Sequence, residues 1–449
     1  MKPQAITIQT HVDGHWRDAA RLMLADPDSG WMGATKLEYE AAYVLDVSPD
    51  LTAEVRGLAA LSVRIPPSFE IHSYRNWPPF LLDLLPQGHG RKVLAGVLGL
   101  NQDSLACDTP LLLRAGGGPI GNLRIKEAWE AERKRLKGNG HTGLTLDQVF
   151  ARDEAFVEFA RDFSAMASGS SGVQGAWPKL LMTRNRSGRW LPDPMVSDAE
   201  ATDHAIVKWV GDRHDATGLI LQSEAPYLEI ARAFGLRCAR KLEFRNGTLL
   251  IPRFDRHVAD GKVVRFGQES ILSAAGVTAF GHQAAHEDYL AVIKTFCDDP
   301  AAEVTEYVLR DVLNLALGNP DNHGRNTAIQ KAPDRSVRLT PIYDFCPMRI
   351  EPSGIARSTT WRCMRPMNGA SRDLNPDWEQ VCGVAADGVL DPQDLMDVLA
   401  AKAEDLRRMP EIARELGIAD AVIERAMLSC DAQVKALDAL GRRQSHGPG

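Results

Sequence analysis

Asn319-Pro320-Asp321-Asn322-His323-Gly324-Arg325-Asn326 is the stretch of sequence on which the fold depends, and Tyr343-Asp344-Phe345 follows it after a short interval. An Asp, an Asn five positions later and a second Asp at the end of a predicted strand form the polar set that phosphoryl transfer from a nucleotide requires. One carboxylate orients the attacking hydroxyl, while an amide oxygen and the second carboxylate hold Mg²⁺ against the phosphates. The pattern therefore predicts a phosphoryl-transfer site.

The elements around this stretch predict that its polar residues meet in space. The row spacing of Glu303–Leu317 is that of a core-facing helix, which Gly318 terminates. Thr327–Gln330 and Val337–Ile342 then form a predicted hairpin whose far end carries Asp344, so all three side chains reach one rim of a sheet. An ordinary Asx-rich turn explains any one of these residues equally well. The ordered set of helix, loop and hairpin favours a functional site.

The composition is that of an ordinary globular protein. The chain has 449 residues, 44% hydrophobic and 25% charged, which suits two or three domains. The sequence contains no run of about eighteen apolar residues, so it predicts no membrane span. The seven cysteines form no C-x₂-C pair, so a reducing cytoplasm is the expected compartment. The net charge of −7 argues against DNA binding by this chain alone.

The pattern of elements predicts a β-rich half and a helical half that join near residue 252. We expect three parts, residues 1–110, 111–252 and 253–445. Residues 92–100 and 224–235 each read as a helix, and Gly116-Gly117-Gly118 reads as a tight connection between two strands.

Two features of the β-rich half could contact phosphate. Lys208 lies inside the predicted strand His204–Val210, where a buried ammonium group needs an anion such as a nucleotide phosphate or Glu224. A lysine whose charged end reaches solvent at a strand edge is the alternative. The stretch from Gly172 to Lys179 could wrap phosphates with its backbone N–H groups, although it is not a Walker A sequence.

Taken together, these segments resemble the HipA-like serine/threonine kinases, the toxin components of type II toxin–antitoxin modules. The matching segments follow the family's order from about residue 80 to residue 350. They are Phe80–Gly88, Leu111–Gly117, Gly175–Lys179, His204–Trp209, Arg253-Phe254-Asp255-Arg256, Asp321–Asn326 and Leu339–Asp344.

The resemblance implies an α+β, bilobed protein-kinase-like fold, with a β-rich N-terminal lobe, an all-helical C-terminal lobe and ATP in the cleft. It makes Asp321 the catalytic base and Asn326 and Asp344 the Mg²⁺ ligands, with Asn326 part of the catalytic set.

The resemblance also implies a nucleotide site made from several segments. Lys208 would hold a phosphate, and the glycine-rich loop would contribute Gly175 and Lys179. His323 and Tyr343 would line the site. Pro252, Arg253 and Phe254 would form the hinge that meets adenine through backbone groups, although Pro252 stands where the family often has Glu and cannot donate an N–H.

Family members often carry an inhibitory autophosphorylation serine in the glycine-rich loop. Alignment on Lys179 places Gly172 at one common serine position. With a shifted register, Ser168, Ser170 or Ser171 would take this role, and the sequence leaves the choice among them open.

The resemblance implies an ATP- and Mg²⁺-dependent kinase that phosphorylates a cytoplasmic protein, such as an aminoacyl-tRNA synthetase, and thereby arrests growth. A small DNA-binding HipB-like antitoxin would restrain it and supply the DNA contacts, with no membrane involved. Two alternatives remain open. One is a phosphotransferase acting on a lipid or small molecule, and the other is an inert corepressor that binds the antitoxin.

Overall fold

The computed structural model describes residues 2–50, 55–118, 120–137, 140–159, 178–210, 216–364 and 375–444. The chain forms two compact units. Unit 1 comprises Met1–Val210, Glu243–Ala279 and Gln330–Val337, and unit 2 comprises Gly211–Leu242, Phe280–Ile329 and Arg338–Gly449. The chain thus enters each unit more than once, whereas the three-part division at residues 110 and 252 stays a prediction.

The first sheet of unit 1 has the strand order β4-β3-β2-β1-β5. Its strands are β1 (Gln4–Val12), β2 (His15–Leu24), β3 (Thr35–Tyr39), β4 (Ile71–Tyr74) and β5 (Leu123–Ile125). Asp13 and Gly14 join β1 to β2, and both have positive φ (52° and 80°). This Asp-Gly pair suits the two-residue turn whose twist matches antiparallel strands. Alternation along β1 buries Ile6 and Ile8 in the core.

The second sheet of unit 1 has the order β7-β6-β8-β10-β9. Its strands are β6 (Lys179–Asn185), β7 (Trp190–Pro192), β8 (Ala201–Trp209), β9 (Glu243–Arg245) and β10 (Thr248–Pro252). Strand β8 pairs with β6 on one side and β10 on the other, so the predicted internal strand around Lys208 is confirmed.

Three more strands of unit 1 follow: β11 (Arg256–Ala259), β12 (Lys262–Arg265) and β13 (Gly267–Ser270). Strand structure therefore continues beyond residue 252, and the prediction that helices take over there was wrong. Short strands with exposed turns carry too weak a periodic signal to be separated from loops.

Fourteen helices are described. They are α1 (Ala41–Val47), α2 (Gly88–Val97), α3 (Asp108–Ala115), α4 (Lys126–Leu136), α5 (Leu146–Ala151), α6 (residues 154–159), α7 (Ala216–Phe234), α8 (Ile271–Ala274), α9 (His286–Phe296), α10 (Pro300–Ala316), α11 (Trp378–Ala386), α12 (Pro392–Glu415), α13 (Asp420–Ala426) and α14 (Cys430–Gln444). None of these described helices is both long and apolar enough to cross a membrane.

The predicted strand-to-strand connection at Gly116–Gly118 was wrong, because α3 precedes these glycines and β5 follows them. The glycines serve close packing instead. A Cβ on Gly117 would lie 2.6 Å from the backbone nitrogen of Trp129 in α4, and one on Gly116 would lie 2.7 Å from the Leu112 carbonyl oxygen. Glycine clusters signal close backbone approach as well as turns, and sequence alone does not separate the two.

Unit 2 is mainly helical, and four short strands complete the description: β14 (Ala284–Ala285), β15 (Ala328–Lys331), β16 (Val337–Leu339) and β17 (Thr359–Thr360). The β15–β16 hairpin is divided between the units. Its turn and the adjoining strand residues, Gln330–Val337, belong to unit 1, whereas the start of β15 and the end of β16 belong to unit 2. The mixed α+β class is confirmed, although the helical part is not free of strands.

Helix α10 positions the candidate site. Asp299 caps its first turn by accepting a hydrogen bond from the Ala302 N–H at 3.1 Å, and Pro300 occupies the first turn. The row Val304, Val308 and Val312 is fully buried, as its spacing predicts. The helix ends before Gly318, whose φ is +70° and whose added Cβ would lie 2.1 Å from the Ala426 carbonyl oxygen. Only glycine fits this position.

Candidate active site

The loop that follows α10 is held in one conformation by its own polar groups. The Asn319 Nδ2 donates to Asn314 Oδ1 at 2.9 Å, and Asn319 Oδ1 accepts from the Asp321 N–H at 3.3 Å. The Asn326 Nδ2 donates to the Asp321 carbonyl oxygen at 2.9 Å. These bonds fix the backbone of Asp321 and turn the side chain of Asn326 toward it.

Asp321 and Asp344 are electrostatic neighbours, although they are separated by a hairpin in sequence. Burial raises the pKa of Asp321, the nearby imidazole of His323 opposes that shift, and the negative charge of Asp344 adds to it. The net effect is a pKa above the ordinary value for Asp. His323 Nε2 lies 3.5 Å from Asp321 Oδ1, and both side chains remain partly exposed.

Asp344 has a φ of +52°, which is uncommon for a residue with a side chain. Neighbouring contacts hold this conformation. Tyr343 donates from its hydroxyl to the Arg325 carbonyl oxygen at 2.7 Å, and Phe345 is buried with its ring 5.4 Å from that of Tyr227. Unusual backbone geometry of this kind tends to occur at functional sites, where the surrounding structure maintains it.

Asn322 ties the loop to strand β17. Its Nδ2 donates to the Thr359 carbonyl oxygen at 2.8 Å, and its Oδ1 accepts from the Ser358 and Thr359 N–H groups at 3.2 Å. The Thr359 hydroxyl donates to the Asn322 carbonyl oxygen at 2.8 Å. Asn322 therefore anchors the loop to β17 through both its side chain and its backbone. The side chain of the neighbouring Asp321 is not needed for this contact.

A buried cluster behind β17 is built around Asp311 of α10. Arg357 donates to Asp311 Oδ1 at 2.6 Å, and the Trp361 indole N–H donates to Oδ2 at 2.8 Å. His286 stacks on Trp361 at 4.4 Å and shares a 2.8 Å hydrogen bond with Tyr307. Burial would raise the pKa of Asp311, but Arg357 and His286 hold it below its usual value.

A cavity of about 30 Å³ lies between α10, the loop and the end of the hairpin. Its polar lining includes Asp321, Asn326, Asp344, Asn314 and Asn319. This volume suits one ion or one to two waters and is far too small for a nucleotide. Asn314 and Asn319 were missed as site residues by the sequence analysis, although two asparagines beside the end of a helix are an available signal.

The donor set fits Mg²⁺ in kind. Asp321, Asp344 and Asn326 offer hard carboxylate and amide oxygens, and the mutual repulsion of the two carboxylates is what a divalent cation relieves. Among the described residues, no group of three or more His, Cys, Asp or Glu side chains is arranged to hold a metal. The candidate set contains only two carboxylates, so it depends on its amide ligand.

The predicted phosphate-binding lysines belong to unit 1. Lys179 of β6 and Lys208 of β8 are directly paired across the two strands, and both are buried, with exposures of 7% and 4%. Side chains of directly opposed residues lie on one face of a sheet. Two ammonium groups therefore share a face of the second sheet.

The predicted hinge also belongs to unit 1, at the end of β10. The Arg253 N–H donates to the His204 carbonyl oxygen at 3.0 Å, and its guanidinium is fully buried against Asp193 and Asp255. Arg253 therefore serves the sheet and an ion cluster. The adenine contact through backbone groups stays a prediction for Pro252, Arg253 and Phe254. Gly175, Ser168, Ser170 and Ser171 lie outside the described residues.

The chain is similar to several known proteins. The HipA-like C-terminal domain family matches residues 171–413, which is more than half of the chain. The protein Y4mE of Sinorhizobium fredii (strain NBRC 101917 / NGR234), itself a candidate kinase, is 26% identical over 392 residues, covering 82% of this chain and 89% of that protein.

Two solved structures are similar. HipA of Shewanella oneidensis MR-1, solved with HipB and operator DNA, superposes with a TM-score of 0.63 and 16% identity, covering 99% of this chain and all of that one. At this identity the match shows the fold. The kinase CtkA of Helicobacter pylori gives a TM-score of 0.38 and 14% identity, covering 54% of this chain and 92% of that one, and carries no argument here. The chain therefore belongs to the family of proteins with a HipA-like C-terminal domain.

Proposed function

We propose that this protein is an ATP- and Mg²⁺-dependent serine/threonine protein kinase. The observation that carries the proposal is the meeting of Asp321, Asn326 and Asp344 at one ion-sized cavity, with the pKa of Asp321 raised. Phosphoryl transfer needs a carboxylate for the attacking hydroxyl and oxygen ligands for a metal, and this set supplies both.

Asp321 is proposed as the base. The substrate hydroxyl oxygen attacks the γ-phosphorus of ATP, the bond from phosphorus to the leaving ADP oxygen breaks, and the hydroxyl proton passes to Asp321. A raised pKa improves a carboxylate for this task, because its proton affinity comes closer to that needed near neutral pH. Asn322, through its bonds to β17, keeps the Asp321 backbone in place.

Asn326 and Asp344 are proposed to hold Mg²⁺. When bound, the ion neutralises charge on the transferring phosphates. His323 and Tyr343 are proposed to line the nucleotide site. The hydrogen bond from Tyr343 to the Arg325 carbonyl oxygen supports this assignment, because it fixes the tyrosine ring beside the loop.

Lys208 and Lys179 are proposed to contact nucleotide phosphates. Support comes from their burial and from their direct pairing across β6 and β8, which places two cationic side chains on one face of the second sheet. Gly175 is proposed to contribute a backbone group in the preceding loop. Autophosphorylation at Ser168, Ser170 or Ser171 is proposed as the regulatory event.

A small HipB-like DNA-binding antitoxin is proposed as the partner, in the cytoplasm. The Shewanella relative was solved together with HipB and operator DNA, and the net charge of −7 here suits a chain that reaches DNA through another protein. The proposed substrate is a cytoplasmic protein, of which an aminoacyl-tRNA synthetase is the instance that the family resemblance suggests.

The test is incubation with γ-labelled MgATP and a cell extract, followed by separation of protein, lipid and metabolite and by mass spectrometry of the purified chain. Phosphoserine or phosphothreonine on protein is expected, and the Asp344→Asn variant should give none. Label only in lipid or metabolite would replace the proposal with the small-molecule phosphotransferase. The absence of label from every fraction would favour the inert corepressor.

A further inference from the structure

Unit 1 contains a second cavity, of about 390 Å³, that the proposed kinase reaction does not use. It lies among β2, β5, α4, β12 and the segment after β7. Its lining includes four arginines and two tryptophans, with only two acidic residues. A volume of this size is at the lower end of the range for small-molecule sites, about 300–1,000 Å³.

The arginines and tryptophans of this cavity alternate in a stack, which we call the Arg–Trp ladder. The guanidinium carbon of Arg124 lies 4.0 Å from the ring centre of Trp16 and 4.5 Å from that of Trp129. Arg265 lies 5.2 Å from Trp16, and Arg133 lies 5.7 Å from Trp129. Each contact is within the range of a cation–π interaction.

The acidic residues of the cavity are already engaged. Asp198 accepts two hydrogen bonds from Arg265, at 2.6 and 2.7 Å. Asp193 is shared by Arg253, which contacts it directly, and Arg256, at 3.5 Å. Asp198 lies near enough to Arg124 to raise its pKa, but neither carboxylate forms an ion pair with Arg124 or Arg133 among the residues that the structure describes.

Arg124 and Arg133 form no ion pair with any residue that the structure describes. Arg124 is only 8% exposed, and its one hydrogen bond among the described residues runs from Nε to Gln9 Oε1, at 2.6 Å. The indole rings cover the two faces of its guanidinium, so an acceptor in the cavity must approach the in-plane Nη donors. A nearly buried cation without an ion-pair partner is stabilised when an anion enters the cavity.

The electrostatics of neighbouring groups agree with an excess of positive charge. Burial lowers the pKa of Arg124 to about 9, and repulsion from Arg265 contributes to that shift. Burial lowers the pKa of His11 to about 3, again with a contribution from Arg265. The Nε of Arg265 is itself buried with no hydrogen-bond acceptor among the described residues.

We infer that the Arg–Trp ladder is a binding site for the phosphate group of a small phosphorylated molecule. Guanidinium edges match phosphate oxygens in pairs, and two arginines without an ion-pair partner suit a dianion. The cavity is larger than one phosphate needs, and Pro194, Met195 and Val196 supply apolar wall for an organic remainder. This inference is independent of the proposed kinase activity, since it concerns other residues and needs no metal.

The experiment is calorimetric titration of the full chain in EDTA, so that no metal-dependent binding at Asp321 and Asp344 contributes. The probes are inorganic phosphate, pyrophosphate, glucose 6-phosphate and AMP, with methyl sulfate as a monoanion control. The test variant is Arg124→Gln. The charge-matched control is Arg408→Gln, which removes one exposed arginine from α12.

At least one phosphate probe should bind the wild-type and Arg408→Gln proteins with a dissociation constant below about 1 mM, and Arg124→Gln should weaken it at least about tenfold. Tightest binding of pyrophosphate or phosphate would identify a free inorganic anion, and tightest binding of AMP or the sugar phosphate an organic phosphate. Both outcomes support the site.

Equal affinity of the Arg124→Gln and Arg408→Gln proteins overturns the inference, and so does the absence of measurable binding by any phosphate probe. Ser197→Glu guards against misfolding of the first variant, because Ser197 is an exposed residue of the cavity lining. Its new carboxylate should weaken binding through repulsion while the thermal unfolding midpoint stays at the wild-type value. Unchanged affinity in that variant also overturns the inference.

Discussion

Two buried carboxylates in this chain, Asp255 and Asp321, differ in the charge of the groups that surround them. In unit 1, Asp255 accepts hydrogen bonds from Arg253 at 2.6 and 2.7 Å and from Arg256 at 3.0 and 3.1 Å. The Gly121 N–H adds a further bond at 2.8 Å. Burial alone would raise the pKa of Asp255, but the two guanidinium groups hold it well below the ordinary value.

In unit 2, Asp321 faces a second carboxylate instead of an arginine. Burial and the charge of Asp344 raise its pKa, and the partly exposed His323 and a hydrogen bond from Asn326 oppose them. The first arrangement is satisfied within the protein, whereas the second gains stabilisation when a cation or a proton arrives. The comparison indicates that Asp255 stabilises the fold, and it is consistent with the proposed role of Asp321 as the base.

The variant Asp321→Asn should show the largest difference between the two clusters, because it should change activity without lowering stability. Loss of the base should lower phosphoryl transfer by about 10²–10⁴-fold. Stability should not fall, because the neutral amide removes the repulsion from Asp344. Initial rates with labelled ATP and urea unfolding measure the two quantities. A variant that keeps wild-type activity would show that Asp321 is not the base.

The same change in the other cluster, Asp255→Asn, should have the reverse effect. The change removes the negative charge that compensates two buried arginines, so it should lower the free energy of unfolding by about 3–5 kcal/mol. Asp260→Asn is the matched control, because Asp260 lies in an exposed turn with positive φ, which Asn tolerates. Equal unfolding midpoints of the two variants would contradict a stabilising role for Asp255.

Gly318→Ala tests whether packing fixes the backbone between α10 and the loop that carries Asp321. The new Cβ would lie 2.1 Å from a backbone oxygen, so α10 or α13 must shift. Gly417→Ala has a similar φ, +82°, with open space around the new Cβ, and should cost only about 1 kcal/mol. Gly318→Ala should cost clearly more and reduce activity as well. Equal unfolding free energies would show that the loop entry adapts.

The smallest expected effect is a shift in the pH at which activity is lost on acidification. Since the pKa of Asp321 is raised, activity should fall on acidification at a higher pH than an ordinary Asp near 3.9 would give. Depressed carboxylates such as Asp255 contribute stability that is present above the unfolded-state pKa and lost only as pH falls through the lower folded-state pKa. Activity should therefore disappear before unit 1 unfolds.

The variant His323→Gln should move this acid limb to higher pH, by about one unit or less, because a protonated imidazole lowers the pKa of Asp321. Rate–pH profiles and circular dichroism over the same buffers measure the two transitions. An acid limb that moves to lower pH would contradict the assigned contact.

The sequence predicted the parts of the molecule that depend on local patterns. The structure confirmed the buried valine row of α10, the end of the helix before Gly318 and the loop that follows. These features were predictable because helical periodicity and a terminating glycine depend on residues close together in sequence. Strand β8 around Lys208 was confirmed for the same reason. The order of motifs also indicated the family.

The sequence did not predict what depends on distant neighbours. Gly116 and Gly117 were predicted to connect two strands, whereas Gly117 allows the chain after α3 to lie close to α4 and Gly116 lies close to Ile125 of β5. Arg253 was predicted to meet adenine through its backbone, and only the structure shows that its guanidinium is enclosed by Asp193 and Asp255. The residue types alone do not reveal which partner surrounds a charged group, because that partner can lie anywhere in the chain.

By itself, then, the sequence determined the elements that carry Asp321, Asn326 and Asp344 and the family to which the chain belongs. Only the tertiary structure decided the electrostatic state of each carboxylate and brought Trp16, Arg124 and Arg265 into one stack. The reason is physical: backbone periodicity is set by neighbours along the chain, whereas burial and compensation of charge are set by neighbours in space.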